Sequence, residues 1–340
     1  MPAADQSQFE VDAGATPLWV VPADVTSPWA ADPAAPVGAD GTRIYEERFS
    51  SMGTWCHVIV RGGPPGVLAA VRHRIDILDR RWTRFSADSE LSRCNAAAGR
   101  WFSGSPDLLS LAAHAWLGWR LTDGAFDPFL AQRMNEVGYD RDFAAVEPGV
   151  ARPEEFSGRD RTEVPLRIDR KRRRVRVAIG QALDSGGIGK GLGADLAVRT
   201  AQALGAQAVL VNLGGDLRCA GAAPPGGWQV TLDDAWQPGQ PSDWWVRLIG
   251  GAVATSSPLR RAWQYQDGSL GHHLLDPRTG LSLTPRWAAV SVIAQRGWIA
   301  EVLTKAAYLL PQPRFHSLLR RHRAAAVVTG HDGQKIQVTG

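Results

Sequence analysis

Cysteine is scarce in this sequence of 340 residues and occurs at three scattered positions, 56, 94 and 219. So few cysteines disfavour a disulfide framework or a zinc site, and their odd number is typical of a reducing compartment. The sequence also lacks an apolar stretch of membrane-spanning length, a secretory leader at its start and an early cysteine for a lipid anchor. We therefore expect a cytoplasmic protein with no transmembrane segment.

Lysine is also rare, although the chain is basic with a formal net charge of +4. Lysine occurs only at positions 171, 190, 305 and 335, and arginine supplies the other basic residues. The densest basic run, 170–174, lies where a hairpin strand would begin. Charges that protect a solvated strand edge explain this run better than a nucleic-acid patch does, so we expect no nucleic-acid partner.

The start of the chain differs in composition from the rest. Residues 1–44 are rich in proline, alanine, aspartate and glycine, which predicts a flexible extension without its own core. Residues 45–340 are expected to form one compact domain. The charged, proline-containing stretch 144–164 is predicted to be a surface loop, and nothing in it forces a domain boundary.

Helical periodicity and alternating polarity both occur after residue 44, and the mixture indicates an α+β fold. Apolar residues recur at helical spacing from 67 to 82. Further helices are predicted at 105–120, 299–310 and 314–323. Strands are predicted at 57–60, 174–179, 208–212, 228–232, 244–249 and 288–293.

The stretch 184–195 places five glycines around Lys190, between a predicted strand and a helix-like run that ends near residue 204. Glycine lets backbone N–H groups approach an anion, a helix N-terminus adds partial positive charge, and lysine adds a full one. The pattern therefore favours phosphate binding, although it fits neither the Walker-type loop nor the dinucleotide-binding glycine pattern. Taken alone, it is also compatible with a turn that packs a helix on a sheet.

Several short motifs accompany this loop. They are Met-Gly-Thr at 52–54, Asp-Ser-Glu-Leu-Ser-Arg-Cys-Asn at 88–95, Asp-Gly-Ala-Phe-Asp-Pro at 123–128, Asn-Leu-Gly-Gly-Asp at 212–216, Ala-Thr-Ser at 254–256 and His-Leu-Leu-Asp-Pro-Arg-Thr-Gly at 273–280. Each alone is weakly diagnostic; the second could be a simple capping box. The last places a base, a carboxylate and a guanidinium in one loop, although His273 alone could merely cap its own turn.

Taken in order with Gly-Ile-Gly-Lys-Gly at 187–191, the motifs resemble those of the ApbE-type FAD:protein FMN transferases, from about residue 49 to residue 311. The resemblance implies the α+β flavin-transferase fold, with mixed sheets packed against helices. It also implies FAD as substrate and Mg²⁺ to neutralise charge developing at phosphorus. FMN would pass to a Thr or Ser hydroxyl of a target flavoprotein, and AMP would leave.

The resemblance also implies roles for individual residues. His273 would be the base toward the acceptor hydroxyl, Asp276 would orient it or fix its loop, and Lys190 would act at the phosphates. The residues expected to line the FAD pocket or to surround the flavin and phosphates are Met52, Phe85, Ala125, Phe126, Asp127, Gly186, Lys190, Leu192 and Leu275.

One segment departs from the family pattern. Relatives place Ala-Asp-x-Leu-x-Thr where this chain has Ala-Glu-Val-Leu-Thr-Lys at 300–305, and the Asp and Thr bind Mg²⁺ beside a backbone carbonyl, which here would be that of Gly189. Glu301 keeps a hard oxygen ligand, but Lys305 puts a cation at a ligand position. Either Glu301 and Thr304 rearrange to hold Mg²⁺, or Lys305 replaces its charge, or the site has decayed. A plain helix-surface ion pair between Glu301 and Lys305 is a further alternative.

Two other functions stay open on the sequence. The chain could be an FAD-binding protein without transferase activity, either a flavin carrier or a partner-binding remnant. It could also be an FAD pyrophosphate hydrolase that releases FMN without an acceptor.

Overall fold

A computed structural model describes residues 19–22, 38, 41–64, 66–146, 149–156, 165–232 and 244–340. The predicted extension 1–44 therefore lies mostly outside the described residues, as does part of the predicted loop 144–164. Among the described residues, no helix has both the length and the apolar character needed to cross a membrane.

Antiparallel strands form the framework of the described part of the chain. They are β1 Trp19–Pro22, β2 Ile44–Ser51, β3 Thr54–Arg61, β4 Phe102–Ser103, β5 Leu166–Asp169, β6 Arg174–Val177, β7 Ala208–Leu213, β8 Asp216–Gly221, β9 Trp228–Thr231, β10 Trp244–Leu248, β11 Gly251–Ser256, β12 Ala262–Gln264, β13 Leu270–His272, β14 Ala289–Ala294, β15 Ala325–Thr329 and β16 Lys335–Thr339. The largest sheet has the order β16-β15-β14-β11-β8-β7-β3-β2. Smaller sheets have the orders β1-β10-β9, β4-β6-β5 and β12-β13.

Helices cover these sheets. They are α1 Val67–Trp82, α2 Glu90–Ala96, α3 Pro106–Leu121, α4 Ala131–Glu136, α5 Gly189–Ala203, α6 Gly297–Leu309 and α7 Gln312–His322. Helices α1, α5 and α6 pack on the large sheet, while β9 and β10 share a core with its other face. Every residue of β14 is buried, as expected for a strand covered on both faces.

Two tight hairpins carry motifs to the same end of the large sheet. Met52 and Gly53 connect β2 to β3, and Gly214 and Gly215 connect β7 to β8; all four residues have positive φ. Two-residue turns of this kind match the twist of antiparallel strands. Because β3 pairs with β7, the two turns lie near each other.

Helices α5 and α6 touch through glycine. A Cβ atom built on Gly191 would overlap the backbone of Gly297, and the reverse holds for a Cβ on Gly297. Glycine at both positions therefore permits a close crossing, which brings the N-terminus of α5 beside the polar face of α6.

The predicted α+β class is confirmed, and each predicted helix and strand is found with small changes at its ends. The helix predicted at 67–82 has those bounds. The helix predicted from 314 begins at Gln312, because proline is tolerated in the first turn of a helix. The helix predicted from 299 begins at Gly297.

Candidate functional site

A cavity of about 460 Å³ opens between the glycine stretch, the β2–β3 turn and the loop after β13. The sequence-predicted residues that line it are Met52, Phe85, Ala125, Phe126, Asp127, Gly186, Gly189, Lys190, His273, Leu275 and Lys305. Residues far apart in the sequence therefore meet around one space large enough for a small-molecule ligand.

Met52, which lines the cavity, has a strained backbone conformation. Its φ is 55°, which lies in a region of backbone conformation that residues other than glycine, asparagine and aspartate rarely adopt. The Met52 N–H donates to Asp79 Oδ2 at 2.9 Å, and the Ser51 hydroxyl donates to the same oxygen at 3.2 Å. Asp79 on α1 thus holds the turn so that the Met52 side chain faces the cavity.

Phe126 forms part of the wall because two glycines make room for it. A Cβ atom on Gly118 would lie 3.0 Å from the ring, and one on Gly187 would lie 2.9 Å from it. The Phe126 N–H donates to Thr122 Oγ1 at 2.9 Å, and the next residue, Asp127, accepts from the Phe129 N–H at 2.8 Å. These bonds fix the loop that carries the ring.

Four charged side chains form a buried cluster at the base of the cavity. Lys190 near the start of α5 forms a close ion pair with Asp216 at the start of β8, and its Nζ lies 3.4 Å from Glu301 Oε1. Lys305 Nζ lies 3.5 Å from the same oxygen. Glu301 is fully buried. The two ammonium groups, of Lys190 and Lys305, therefore balance the two carboxylates, of Asp216 and Glu301.

Burial and ion pairing shift the pKa values of these four groups in opposite directions. Burial opposes the charge on Lys190, but Asp216 and Glu301 outweigh it and raise the Lys190 pKa. Burial also opposes the charge on Glu301, but Lys190 and Lys305 lower its pKa. Burial raises the pKa of Asp216 while its contact with Lys190 acts to lower it, and the direct ion pair favours the charged form of both groups. For Lys305, burial prevails over Glu301 and Asp216 and lowers the pKa.

Glu301 also closes the N-terminus of α5, which carries no side-chain cap of its own. Its Oε2 accepts the Gly191 N–H at 2.8 Å. A carboxylate at a helix N-terminus satisfies an N–H group that has no partner within the helix and interacts favourably with the helix dipole. Thr304, one turn later on α6, is fully buried, and its Oγ1 lies 2.7 Å from Ser256 Oγ and 2.7 Å from the Glu301 carbonyl oxygen.

His273 directly follows β13, and its side chain lines the cavity. Burial lowers its pKa well below the ordinary value, and the positive charges of Arg261, His272 when protonated, and Lys305 lower it further. Its Nδ1 is buried and has no hydrogen-bond partner among the described residues. The lowered pKa favours the neutral imidazole, and the side chain lines the cavity.

The carboxylate of Asp276 contacts its own loop. It accepts the Arg278 backbone N–H at 2.9 Å and pairs with the Arg278 guanidinium, whose Nη2 lies 2.6 Å from Oδ2. The Asp276 carbonyl accepts from the Gly280 N–H at 2.8 Å. These contacts close the turn that follows His273.

Comparisons with known proteins identify the family of this chain. The ApbE family model matches residues 52–328, which is well over half of the chain. This chain belongs to the ApbE family. A protein of Treponema pallidum (strain Nichols) named FAD:protein FMN transferase is 30% identical over 313 residues, which cover 84% of each chain. A protein of Haemophilus influenzae with the same name is 22% identical over 298 residues, covering 84% of this chain and 86% of that protein.

Solved structures of ApbE proteins share the fold. The crystal structure of the ApbE protein from Thermotoga maritima has a TM-score of 0.75 and 23% identity, and the match covers 87% of this chain and 97% of that one. The apo crystal structure of the Pseudomonas stutzeri flavinyl transferase ApbE has a TM-score of 0.69 and 26% identity, covering 88% and 94%. The predicted flavin-transferase fold is therefore confirmed.

Within this ApbE fold, the sequence-predicted residues occupy three kinds of position. Most line the cavity. Glu301 and Thr304 lie buried behind its charged end. Leu192 is buried in the apolar core that also contains Trp82 and Val302, and Asp276 is engaged in its own turn. Neither of these last two residues is among those that line the cavity.

Sequence reasoning missed a cation and a ring in the wall of this ApbE cavity. Arg261 lines the space and donates to the Tyr139 hydroxyl at 2.8 Å. Arg84 lies over the Phe85 ring at 4.3 Å and over the Tyr139 ring at 4.6 Å. The only sequence signal for Arg261 is its position shortly after Ala-Thr-Ser, and Tyr139 belongs to none of the motifs.

Proposed function

We propose that this protein is an FAD:protein FMN transferase. It moves FMN from FAD to a Thr or Ser hydroxyl of a flavoprotein and releases AMP. One observation carries the proposal: lysines and an arginine, a neutral histidine with an unpartnered nitrogen, and aromatic rings line a single cavity. Such a cavity can hold a dinucleotide with its diphosphate at the cationic end and a hydroxyl beside the histidine.

Lys190 and Arg261 bind the diphosphate in this mechanism. Lys190 is held by Asp216 and Glu301, and Arg261 is held by the Tyr139 hydroxyl, so both cations have fixed positions before the substrate arrives. Fixed charges stabilise the developing transition state without the cost of reorientation. The glycines at 186, 187 and 189 line the same part of the cavity, and their lack of side chains lets the substrate approach the backbone.

His273 accepts the proton of the attacking hydroxyl. The acceptor oxygen bonds to the phosphorus of the FMN half, the bond from that phosphorus to the bridging oxygen breaks, and AMP leaves with the bonding electron pair. A base must be neutral to accept a proton, and burial together with the neighbouring cations keeps His273 neutral. Asp276 acts indirectly, because its contacts with Arg278 hold the loop that positions His273.

The aromatic residues would hold the rings of FAD. Phe126 and Tyr139 are buried in the wall, whereas Phe85 is 41% exposed and carries the Arg84 guanidinium on its ring. An exposed ring at a cavity rim offers a flat surface on which a second ring can stack. Met52 also lines the cavity, and Asp79 fixes its turn.

The residues present do not fit Mg²⁺ at the position that the family pattern suggests. Oε1 of Glu301 faces the ammonium groups of Lys190 and Lys305, and Oε2 accepts from Gly191. The Thr304 hydroxyl is engaged with Ser256 and with the Glu301 carbonyl oxygen. Mg²⁺ needs an octahedral set of oxygens at short distance, and these oxygens already have partners. The roles of Lys190, Arg261 and His273 in the transfer require no metal.

Intact-mass spectrometry tests the proposed function. The purified protein is incubated with FAD and with a protein substrate of the Treponema pallidum or Haemophilus influenzae transferase, and that transferase serves as the positive control. We expect the acceptor to gain the mass of one FMN group and AMP to accumulate. An acceptor whose target Thr or Ser is replaced by Ala should gain no mass.

Two results would oppose the proposal. Bound FAD with neither an adduct nor AMP, while the control enzyme modifies the acceptor, would indicate an FAD-binding protein. Free FMN and AMP without an adduct would indicate a pyrophosphate hydrolase. The His273→Ala variant should bind FAD and yield no adduct, which separates chemistry from binding.

A further inference from the structure

Lys305 lies at the meeting point of the charged cluster and the cavity. Glu301, Thr304 and Lys305 are spaced i, i+3 and i+4 and share one face of α6. The Lys305 stem runs beside the glycine stretch, because its Cε lies 3.8 Å from the place where a Cβ atom on Gly187 would be. Its Nζ is 3.5 Å from Glu301 Oε1, and the side chain lines the cavity.

The charges around Glu301 disfavour the binding of a divalent cation. Lys190 and Lys305 together carry two positive charges, and Asp216 and Glu301 carry two negative ones. A divalent cation on Glu301 would lie beside two ammonium groups, and like charges at such distances repel. It would also have to displace Lys305 from the oxygen that the two would share.

The ammonium of Lys305 still has capacity for a ligand. An ammonium group has three N–H donors, and among the described residues its ion-pair partner is Glu301. The side chain is 17% exposed and belongs to the cavity wall, so the remaining donors can reach an anion inside the cavity. A diphosphate supplies oxygen acceptors for these donors, and its negative charge is attracted to the ammonium groups of Lys305 and Lys190 and to the Arg261 guanidinium in the cavity wall.

We propose that Lys305 replaces the divalent cation of this site: its ammonium binds the diphosphate of FAD directly, and both FAD binding and FMN transfer proceed without a metal. This inference rests on the proposed function, in which FAD is the substrate. During transfer, the bond between the FMN phosphorus and the bridging oxygen breaks, and negative charge grows on the departing AMP. Lys305 and Lys190 stabilise that charge from fixed positions.

The first test measures FAD binding by the quenching of flavin fluorescence, in excess EDTA and in Mg²⁺. The wild-type Kd should agree within about twofold between the two conditions. Lys305→Met should weaken binding in EDTA by about thirtyfold or more, the smallest loss typical of removing one charge of a buried pair across an interface. Lys305→Arg should keep most of the affinity, and the exposed Lys171→Met is the matched control with unchanged affinity.

Variants that fail to fold are recognised by their melting curves, and the wild-type comparison in EDTA does not depend on any variant. Loss of wild-type FAD binding in EDTA with recovery in Mg²⁺ would overturn the proposal. So would a folded Lys305→Met protein that binds FAD in EDTA as tightly as the wild type does.

The second test uses Mn²⁺ as a spectroscopic probe. Electron paramagnetic resonance of the wild-type protein with FAD should show free Mn²⁺, whereas Lys305→Thr should bind Mn²⁺ and should transfer FMN only when a divalent cation is present. Tight Mn²⁺ binding by the wild type at this site, abolished by Glu301→Gln, would contradict the proposal. If no acceptor is modified under any condition, the proposed transferase function fails, and the FAD and Mn²⁺ measurements still decide the role of Lys305.

Discussion

Gly191 and Gly297 meet backbone to backbone where α5 crosses α6, and neither position has room for a Cβ atom. The crossing aligns the first turn of α5 with Glu301, which accepts the Gly191 N–H. A structural contact between two helices thereby fixes the position of Lys190, the residue next to Gly191. The charged end of the cavity depends on this contact.

Replacing Gly191 with alanine should therefore damage both stability and the site. Overpacking a tight contact typically costs about 1–3 kcal/mol, and we expect a loss of unfolding free energy in that range for Gly191→Ala. Urea denaturation followed by circular dichroism measures it. Gly66→Ala is the matched control, because a Cβ atom there meets no atom within 4 Å and the backbone φ is −78°. Equal stability of the two variants would show that the crossing tolerates a methyl group.

Removing Lys190 should leave the cluster with excess negative charge. In Lys190→Met, Lys305 would be the one remaining lysine of the cluster beside Asp216 and Glu301. Removing one partner of a buried ion pair typically destabilises a protein by about 3–5 kcal/mol. We expect a loss of that size by chemical denaturation at neutral pH, with Lys171→Met as the control that leaves stability unchanged. A loss no larger than that of the control would mean that the cluster is effectively solvated.

The pH dependence of turnover should report His273. The neutral imidazole accepts the proton, so the rate falls as pH falls through the His273 pKa, which burial and Arg261 hold well below its ordinary value near 6.5. As the pH is lowered from neutral, we expect the wild-type kcat to remain constant at pH 6.5 and to fall only at lower pH. In Arg261→Met, one positive neighbour is lost, the His273 pKa rises, and the acidic limb of the profile moves to higher pH. An unchanged limb would mean that Arg261 does not act on His273.

Phe85 should contribute to FAD affinity and little to folding. Stacking on an aromatic ring is worth about 0.5–1.5 kcal/mol, so Phe85→Ala should weaken FAD binding by about twofold to tenfold. Trp101→Ala is a close control: Trp101 is 40% exposed, carries the Arg174 guanidinium 4.6 Å from its ring centroid, and does not line the cavity. Equal losses of affinity in the two variants would remove Phe85 from the binding site.

The fold was predictable where one face of an element is apolar. Apolar residues recur at helical spacing along the whole of helix α1, and its predicted bounds agree with the structure. Strand β15 was not predicted, because its sequence lacks alternation and begins with two alanines, which are depleted in strands. Helix α4 was not predicted either, since six residues are too few to establish a period.

The site was predictable only through short motifs. Lys190, His273 and Lys305 lie in segments with recognisable order, and the structure brings them to one cavity. Asp216 is the last residue of the Asn-Leu-Gly-Gly-Asp motif, but no sequence pattern predicts its ion pair with Lys190. That ion pair depends on the positions of the β7–β8 turn and the start of α5. Arg261 and Tyr139 meet across 122 positions of sequence, a separation at which local pattern carries no information.

The stoichiometry of the products tests the transferase proposal most directly. The protein is incubated with FAD and an acceptor, and AMP, free FMN and the acceptor adduct are quantified together by liquid chromatography and mass spectrometry over time. We predict that AMP and adduct accumulate in equal amounts and that no free FMN forms. Equal amounts of AMP and free FMN without an adduct, or unchanged FAD while a related transferase modifies the same acceptor, would contradict it.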